Sequence, residues 1–414
     1  MEFVPDSGNT AWVLISTALV LFMTPGLAFF YGGMVRGKNV LAMLMQNFFA
    51  MGLIAVLWAA IVFSLAFGDA GNAGFVGNLD FAFLKDVDLG AGPDFFALSI
   101  PFVLFAAYQM TFAIITPALI TGATADRLKF AGYAVFIGLW VILVYGPVAH
   151  MVFGGGWLSD MGALDFAGGA VVHINAGAAA LAVILVVGKR RGYPHEPMPP
   201  HNLPFTMLGT GMLWFGWAGF NAGSALAANG VAAQALMNTI LAPAAAMLGW
   251  LIVEKLRSGH ATSLGAASGA VAGMVAITPC AGFVGGMAPI YIGFATGIIC
   301  YLALGLKKAF GFDDSLDVIA VHLVGGLVGS ILLGFFADPT INSLVANPGV
   351  LITDGGTDLL MDQIVASAVT LGYSFVVSLG LAAIIEKTIG LRASDDQQDQ
   401  GLDLSLHAET AYSN

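Results

Sequence analysis

Charge is what this chain has least of. Asp, Glu, Lys and Arg make up 9% of its 414 residues, against about 25% in an ordinary soluble domain. A globule with a polar shell is excluded. Cysteine is nearly missing as well. Cys280 and Cys300 show no ligand spacing and no disulfide framework, so both read as small packing residues. No basic patch for nucleic acid is present among the 14 Lys and Arg. No set of potential ligands recurs at metal-site spacing, so no metal, cofactor or enzymatic centre is expected. The N-terminus, MEFVPDSGNT, lacks the positive segment of a cleavable signal, and the first apolar run reads as a retained helix.

What remains is apolar. Hydrophobic residues reach 58%, and mean hydropathy is +0.88. The 54 glycines suit close helix contact in lipid. Runs long enough to cross a bilayer fall near 11–32, 40–67, 94–121, 129–151, 168–188, 203–226, 234–256, 263–279, 287–307, 315–336 and 361–389. The eighth is rich in Ala, Gly and Ser. Its Gly265, Gly269 and Gly273 share one face, so it reads as a tightly packed helix and not a loop. The expected fold is an all-α integral membrane protein with eleven transmembrane helices.

Basic residues test that count. Arg36 and Lys38, Arg127 and Lys129, Lys189 to Arg191, Lys255 and Arg257, and Lys307 and Lys308 occupy alternate loops. Lys387 and Arg392 follow on the same side, and only Lys85 lies opposite, beside Asp80, Asp86 and Asp88. The positive-inside rule then places the N-terminus outside and the C-terminus in the cytoplasm.

Two histidines interrupt the apolar spans. DFAGGAVVH runs from Asp165 to His173, and DSLDVIAVH from Asp314 to His322. At ~1.5 Å per helical residue each histidine sits roughly 12 Å inside its aspartate, near the middle of a hydrocarbon core about 30 Å thick. The two aspartates enter from opposite faces. VHINAG (172–177) also echoes VHLVGG (321–326). Together these features point to a five-plus-five inverted repeat, 11–188 and 203–336, with sites at its midplane. A final long helix, 361–389, completes a membrane domain over 1–392, and residues 393–414 form a polar tail.

Facing imidazoles suit a small N–H donor and a proton. They suit a bare alkali cation poorly, because a charge without oxygen ligands is costly in apolar surroundings. One membrane histidine alone is as readily an interhelical hydrogen bond. Two at matched positions of a repeat point to function.

Several longer stretches carry a resemblance: DFAGGAVVHINAG (165–177), GMLWFGWAGFNAGSA (211–225), QMTFAIITPALITGATADR (109–127), DDSLDVIAVHLVGG (313–326) and GLDLSLHAETAY (401–412). With them the chain resembles the Amt/Mep/Rh family of ammonium transporters, of the bacterial and archaeal Amt type, over nearly its whole length. The resemblance implies an eleven-helix fold, a homotrimer with one pore per subunit, and a multi-pass location in the cell (inner) membrane. It implies that His173 and His322 are twin pore histidines and that Phe112 and Phe220 close the outer end. Ser224, Phe153, Tyr108, Trp217 and Asp165 are then the residues expected at ammonium recruitment. Asp165 read by itself is first a helix cap.

Two positions depart from the family. Phe153 stands where tryptophan is usual, and Tyr108 where phenylalanine is frequent. Phe offers a weaker cation–π face, by about 0.5–1 kcal/mol. The tail implies a regulatory element and a PII-family signalling partner at the cytoplasmic face. The expected function is passage of ammonium or ammonia, with net NH₄⁺ transport and NH₃ conduction both open. The alternatives are an ammonium sensor of low flux, usually fused to an output domain that this short tail lacks, and an Rh-like neutral gas channel.

Overall fold

The computed structural model describes residues 3–412. Among the described residues there is no strand, only an isolated bridge between Leu128 and Arg392. The long helices in chain order are α1 (Ser7–Met34), α2 (Gly37–Phe67), α3 (Phe102–Thr124), α4 (Phe130–Met161, broken near 154–156), α5 (Gly169–Val187), α6 (203–225), α7 (Gly230–Ser258), α8 (Ser263–Ile277), α9 (Ala288–Phe310), α10 (Ile319–Phe336) and α11 (Asp358–Thr388). Among the described residues nine are long and apolar enough to cross a membrane, all except α6 and α8. The α8 helix has 15 residues. In α6, Thr206, Thr210, Trp214, Trp217 and several glycines dilute the hydropathy.

Local chemistry sets many of the boundaries. Helix starts carry side-chain caps that take an otherwise orphaned amide. Asp6 accepts from Asn9 N at 2.7 Å, Asn229 from Ala232 N at 3.0 Å, and Thr262 from Gly265 N at 2.9 Å. The α7 helix ends on Gly259 at φ +83°, the left-handed conformation that glycine adopts without strain. The small-residue face of α8 has a packing reason. A β-carbon on Gly269 would press on Trp250 and Met247, and one on Gly273 on Ala246 and Pro243. The α8 helix is therefore held against α7 and is buried nearly throughout.

Burial sorts the helices. The most apolar windows of α3 and α5 are mostly buried, whereas α2, α9 and α11 bury only a third of theirs. Outward side chains such as Leu248, Ile252, Met361 and Ile384 are apolar, as a lipid-facing surface requires.

The helices depart from regular α-geometry at five places. Wide π-turns occur at Trp58–Val62, Val141–Tyr145, Gly169–Ile174, Ala218–Ala222 and Ile319–Val324. Such turns recur at functional sites, and three of these carry His173, Phe220 and His322. Helices α5 and α10 begin only at Gly169 and Ile319. Each histidine thus sits about one turn inside its helix, not eight helical residues in. The aspartates lie before the helix starts, folded back onto their amides.

The tail forms two short helices, α12 (Asp395–Gln400) and α13 (Leu402–His407). It docks on the first turn of α2. Asp403 accepts from Leu41 N and Ala42 N at 3.0 and 2.8 Å, and Lys38 Nζ donates to the Gln398 and Asp399 carbonyls. Burial pushes the Asp403 carboxyl above its usual range, and the two amides pull it back.

Candidate functional site

A cavity of about 250 Å³ opens on the side of Asp165, lined among others by Phe96, Phe112, Phe153, Asp165, Phe166 and Ser224. Its polar side chains are Gln109, Asp165 and Ser224. Ser224 Oγ donates to Phe220 O at 2.8 Å and lies 3.2 Å from Tyr108 Oη. Asp165 is fully engaged. Oδ1 accepts from Gly168 N and Gly169 N at 2.8 and 2.6 Å, and Oδ2 from Ala170 N and Val171 N at 2.8 and 3.2 Å. These are the orphan amides of the α5 start, so the carboxylate acts there as a cap.

Phe112 lines this cavity and meets Phe220 behind it, with ring centroids 4.5 Å apart. Beneath them the rings continue in a column. His173 stacks 6.0 Å from Phe220 and 5.3 Å from His322. Trp217 lies beside this column, 5.5 Å from His173 at 18°, with its N–H donated to Thr278 Oγ1 at 2.9 Å. Between these rings and the aliphatic side chains of Met23, Leu27 and Leu119 is a space of about 10 Å³. That is roughly room for one water-sized molecule.

The imidazoles touch through Nδ1, at 3.2 Å. Two lone pairs cannot share that contact, so one ring carries the proton there and the other accepts it. In a neutral pair the outer nitrogens are then one lone pair and one N–H. The Nε2 of His173 is buried without a hydrogen-bond partner, free for a molecule in the lumen. The arms cross closely because each has glycine one turn after its histidine. A β-carbon on Gly177 would press on Leu323, and one on Gly326 on Ile174 and His173. The two contacts mirror each other.

On the opposite side a cavity of about 140 Å³ is lined by Met34, Asp126, Arg190, Met198, Ser315 and Asp317, among others. Asp314 caps the α10 start, accepting from Val318 N and Ile319 N at 3.1 and 2.7 Å. Its neighbour Asp313 meets Arg190 through both oxygens, at 2.9 and 2.8 Å. Burial pushes the Asp313 carboxyl up, but the bond to Arg190 and the charge of Arg127 outweigh it and hold the group below its usual range. Arg127 is buried, which pulls its guanidinium down to about 10, still charged at neutral pH. It donates to Ser315 Oγ and to the Gly188 and Asp313 carbonyls.

The residues singled out in the sequence fall into three places. Ser224, Phe153 and Asp165 line the cavity on the Asp165 side with Phe112. His173, His322, Phe220 and Trp217 line the lumen below, which puts Trp217 on the histidine side of the phenylalanine pair and away from the Asp165-side cavity. Tyr108 is fully buried, with its hydroxyl bonded to the Gly219 and Phe220 carbonyls. Sequence reasoning missed Thr278. The available signal was the need of a buried indole N–H for an acceptor. It also missed Gln109, which lines the Asp165-side cavity.

Fold and site together define a polytopic helical membrane protein with two cavities separated by an aromatic and imidazole column. The chain belongs to the ammonium transporter family: the profile of the Ammonium Transporter Family matches residues 11–412. An ammonium transporter of Mycobacterium tuberculosis is 51% identical over 433 residues, covering 99% of this chain and 91% of that one. The crystal structure of Saccharomyces cerevisiae Mep2 superposes with a TM-score of 0.88 at 35% identity, over 95% of this chain and 88% of its own. A structure described as a sensor Amt protein matches with a TM-score of 0.87 at 28% identity, over 98% of both chains.

Proposed function

We propose that this protein moves ammonium across a cell membrane by splitting it into ammonia and a proton at the outer cavity. The observation that carries the reading is the His173–His322 contact, closed off beneath Phe112 and Phe220 in an apolar lumen. The proposed topology has eleven spans, with α6 and α8 added to the nine, the N-terminus outside and the C-terminus inside. The mirrored glycine contacts and the two Asp-capped arms support a five-plus-five inverted repeat. A homotrimer is proposed with it, as the family resemblance implies.

In this mechanism NH₄⁺ rests against Phe112 and Phe153 and donates to Ser224. Asp165 contributes by holding the α5 start, since four amides already claim its oxygens. Trp217 acts one step further in, as a wall of the lumen that keeps the His173 plane fixed. A charged ion is disfavoured in that lumen, because few polar groups replace its hydration. The ion therefore gives up its proton before the phenylalanine pair parts. NH₃ next meets the unpartnered Nε2 of His173. The proton released to water in the cavity re-enters at the His173 Nε2 lone pair, and the His173 Nδ1 proton passes to His322 Nδ1 across their contact. The His322 Nε2 proton leaves on the far side, so net NH₄⁺ crosses. This handoff distinguishes the reading from a neutral gas channel.

A second reading is an ammonium sensor of low flux, kept by the likeness to the sensor Amt structure and by Phe153 in place of tryptophan. The docked tail and the inner cavity form the proposed landing site of a PII-family partner. The test is uptake of labelled methylammonium into proteoliposomes. Saturable uptake is expected and would remove the sensor reading, whereas no uptake by the native chain sinks the transporter reading.

A further inference from the structure

The hydroxyl of Tyr108 lies among three oxygens and is buried completely. Its Oη is 2.8 Å from Gly219 O, 3.0 Å from Phe220 O and 3.2 Å from Ser224 Oγ. A carbonyl oxygen only accepts, so the single phenolic proton goes to the carbonyls and a lone pair is left facing Ser224. Ser224 in turn has two acceptors on its inner side, Phe220 O at 2.8 Å and Tyr108 Oη. Its proton is drawn inward. What Ser224 presents to the outer cavity is then a lone pair.

The ring has a separate task. It meets Phe112 edge-on at 5.0 Å, and Phe112 meets Phe220 at 4.5 Å. One side chain thus braces both closing rings and ties down the π-turn that carries Phe220. Glycine at 223 makes the approach possible, since a β-carbon there would stand 2.7 Å from Tyr108 Oη.

We propose that Tyr108 is a positioning residue of the recruitment site, whose hydroxyl orients Ser224 as an acceptor-only group toward the cavity and so tunes it to an N–H donor cation. The proposal rests on the reading of Ser224 as the ammonium-binding hydroxyl. Tyr108 does not touch the substrate and acts through Ser224.

The experiment is a set of concentration-dependent methylammonium uptakes in proteoliposomes. Tyr108→Phe keeps the ring and removes the hydroxyl. Its KM is expected to rise about three- to tenfold, the span of one hydrogen bond of ordinary strength, with maximal flux within about twofold of native. Because Tyr108 works through Ser224, Tyr108→Phe adds nothing once Ser224→Ala is present. A native KM in Tyr108→Phe, or an effect that adds in full to that of Ser224→Ala, overturns the proposal. If Ser224→Ala alone leaves KM unchanged, the recruitment reading fails first, and that outcome is separate from either of the others.

Discussion

The two arms that bring the histidines together hold their helix starts differently. The arm from Asp165 rests on one carboxylate that takes four amides and lines the 250 Å³ cavity. The arm from Asp314 takes two amides, and its neighbour Asp313 is clamped by Arg190 and Arg127. The clamp reaches into the loop at 188–191, and Arg191 there pairs with Asp399 of the tail at 2.8 Å. The chemistry at the histidines is therefore near-symmetric while its anchoring is not. The arm from Asp165 stands alone beside its cavity, and the arm from Asp314 is tied to the 188–191 loop and the tail.

The largest expected effect breaks the arm from Asp165. Asp165→Ala leaves four amides without partners, at about 1–3 kcal/mol each, which adds up to most of the stability of an ordinary domain. Loss of the folded protein is expected, read as detergent-solubilised yield and thermal midpoint. A folded, active Asp165→Ala would show that the cap is dispensable.

The Asp313 clamp comes next. Asp313→Ala strands Arg190, and removing one partner of a buried ion pair costs about 3–5 kcal/mol. A thermal shift in detergent measures it. Acid gives the same contact a milder test. The folded Asp313 carboxyl lies below its unfolded value, so its contribution is present above pH ~4 and lost as pH falls through the folded value. The stability gap between the native chain and Asp313→Ala is expected to be full at pH 7 and to shrink as pH falls through the lowered folded value. Asp314→Ala strands two amides, about 2–6 kcal/mol by the same rule, and should be milder than Asp165→Ala. The reverse order would mean that cap count does not set the difference between the arms.

The smallest effect concerns the cavity over the arm from Asp165. Phe153→Trp enlarges the cation–π face by about 0.5–1 kcal/mol, so KM for methylammonium should fall roughly two- to fivefold. An unchanged KM would remove Phe153 from the recruitment site.

Much of this arrangement could be read in the sequence, for physical reasons. Scarce charge and the long apolar runs speak through composition and period, so an all-helical membrane chain was legible. The Asp-to-His spacing, in contrast, overstated the helical depth of the histidines because the aspartates lie before the helix starts. The glycine face of α8 was legible because close backbones demand small residues. The π-turns were not, since apolar periodicity hardly changes when one residue is added to a turn. Asp165 was legible as a cap, but not that both its oxygens are used up. The place of Trp217 below Phe220 and the bonds of Tyr108 depend on which way a ring turns inside a buried layer, and residue order does not encode that. Docking of the tail on α2 joins Asp403 to Leu41 across most of the chain, beyond the reach of local pattern.

The central claim is that the paired imidazoles carry the proton that ammonium leaves behind. Its direct measurement is the ammonium-evoked current in proteoliposomes on a solid-supported membrane, for the native chain and for His173→Ala and His322→Ala. A saturable current in the native protein that disappears in both variants, with folding intact by thermal midpoint, is the expected result. Current of native size in either variant would contradict the relay.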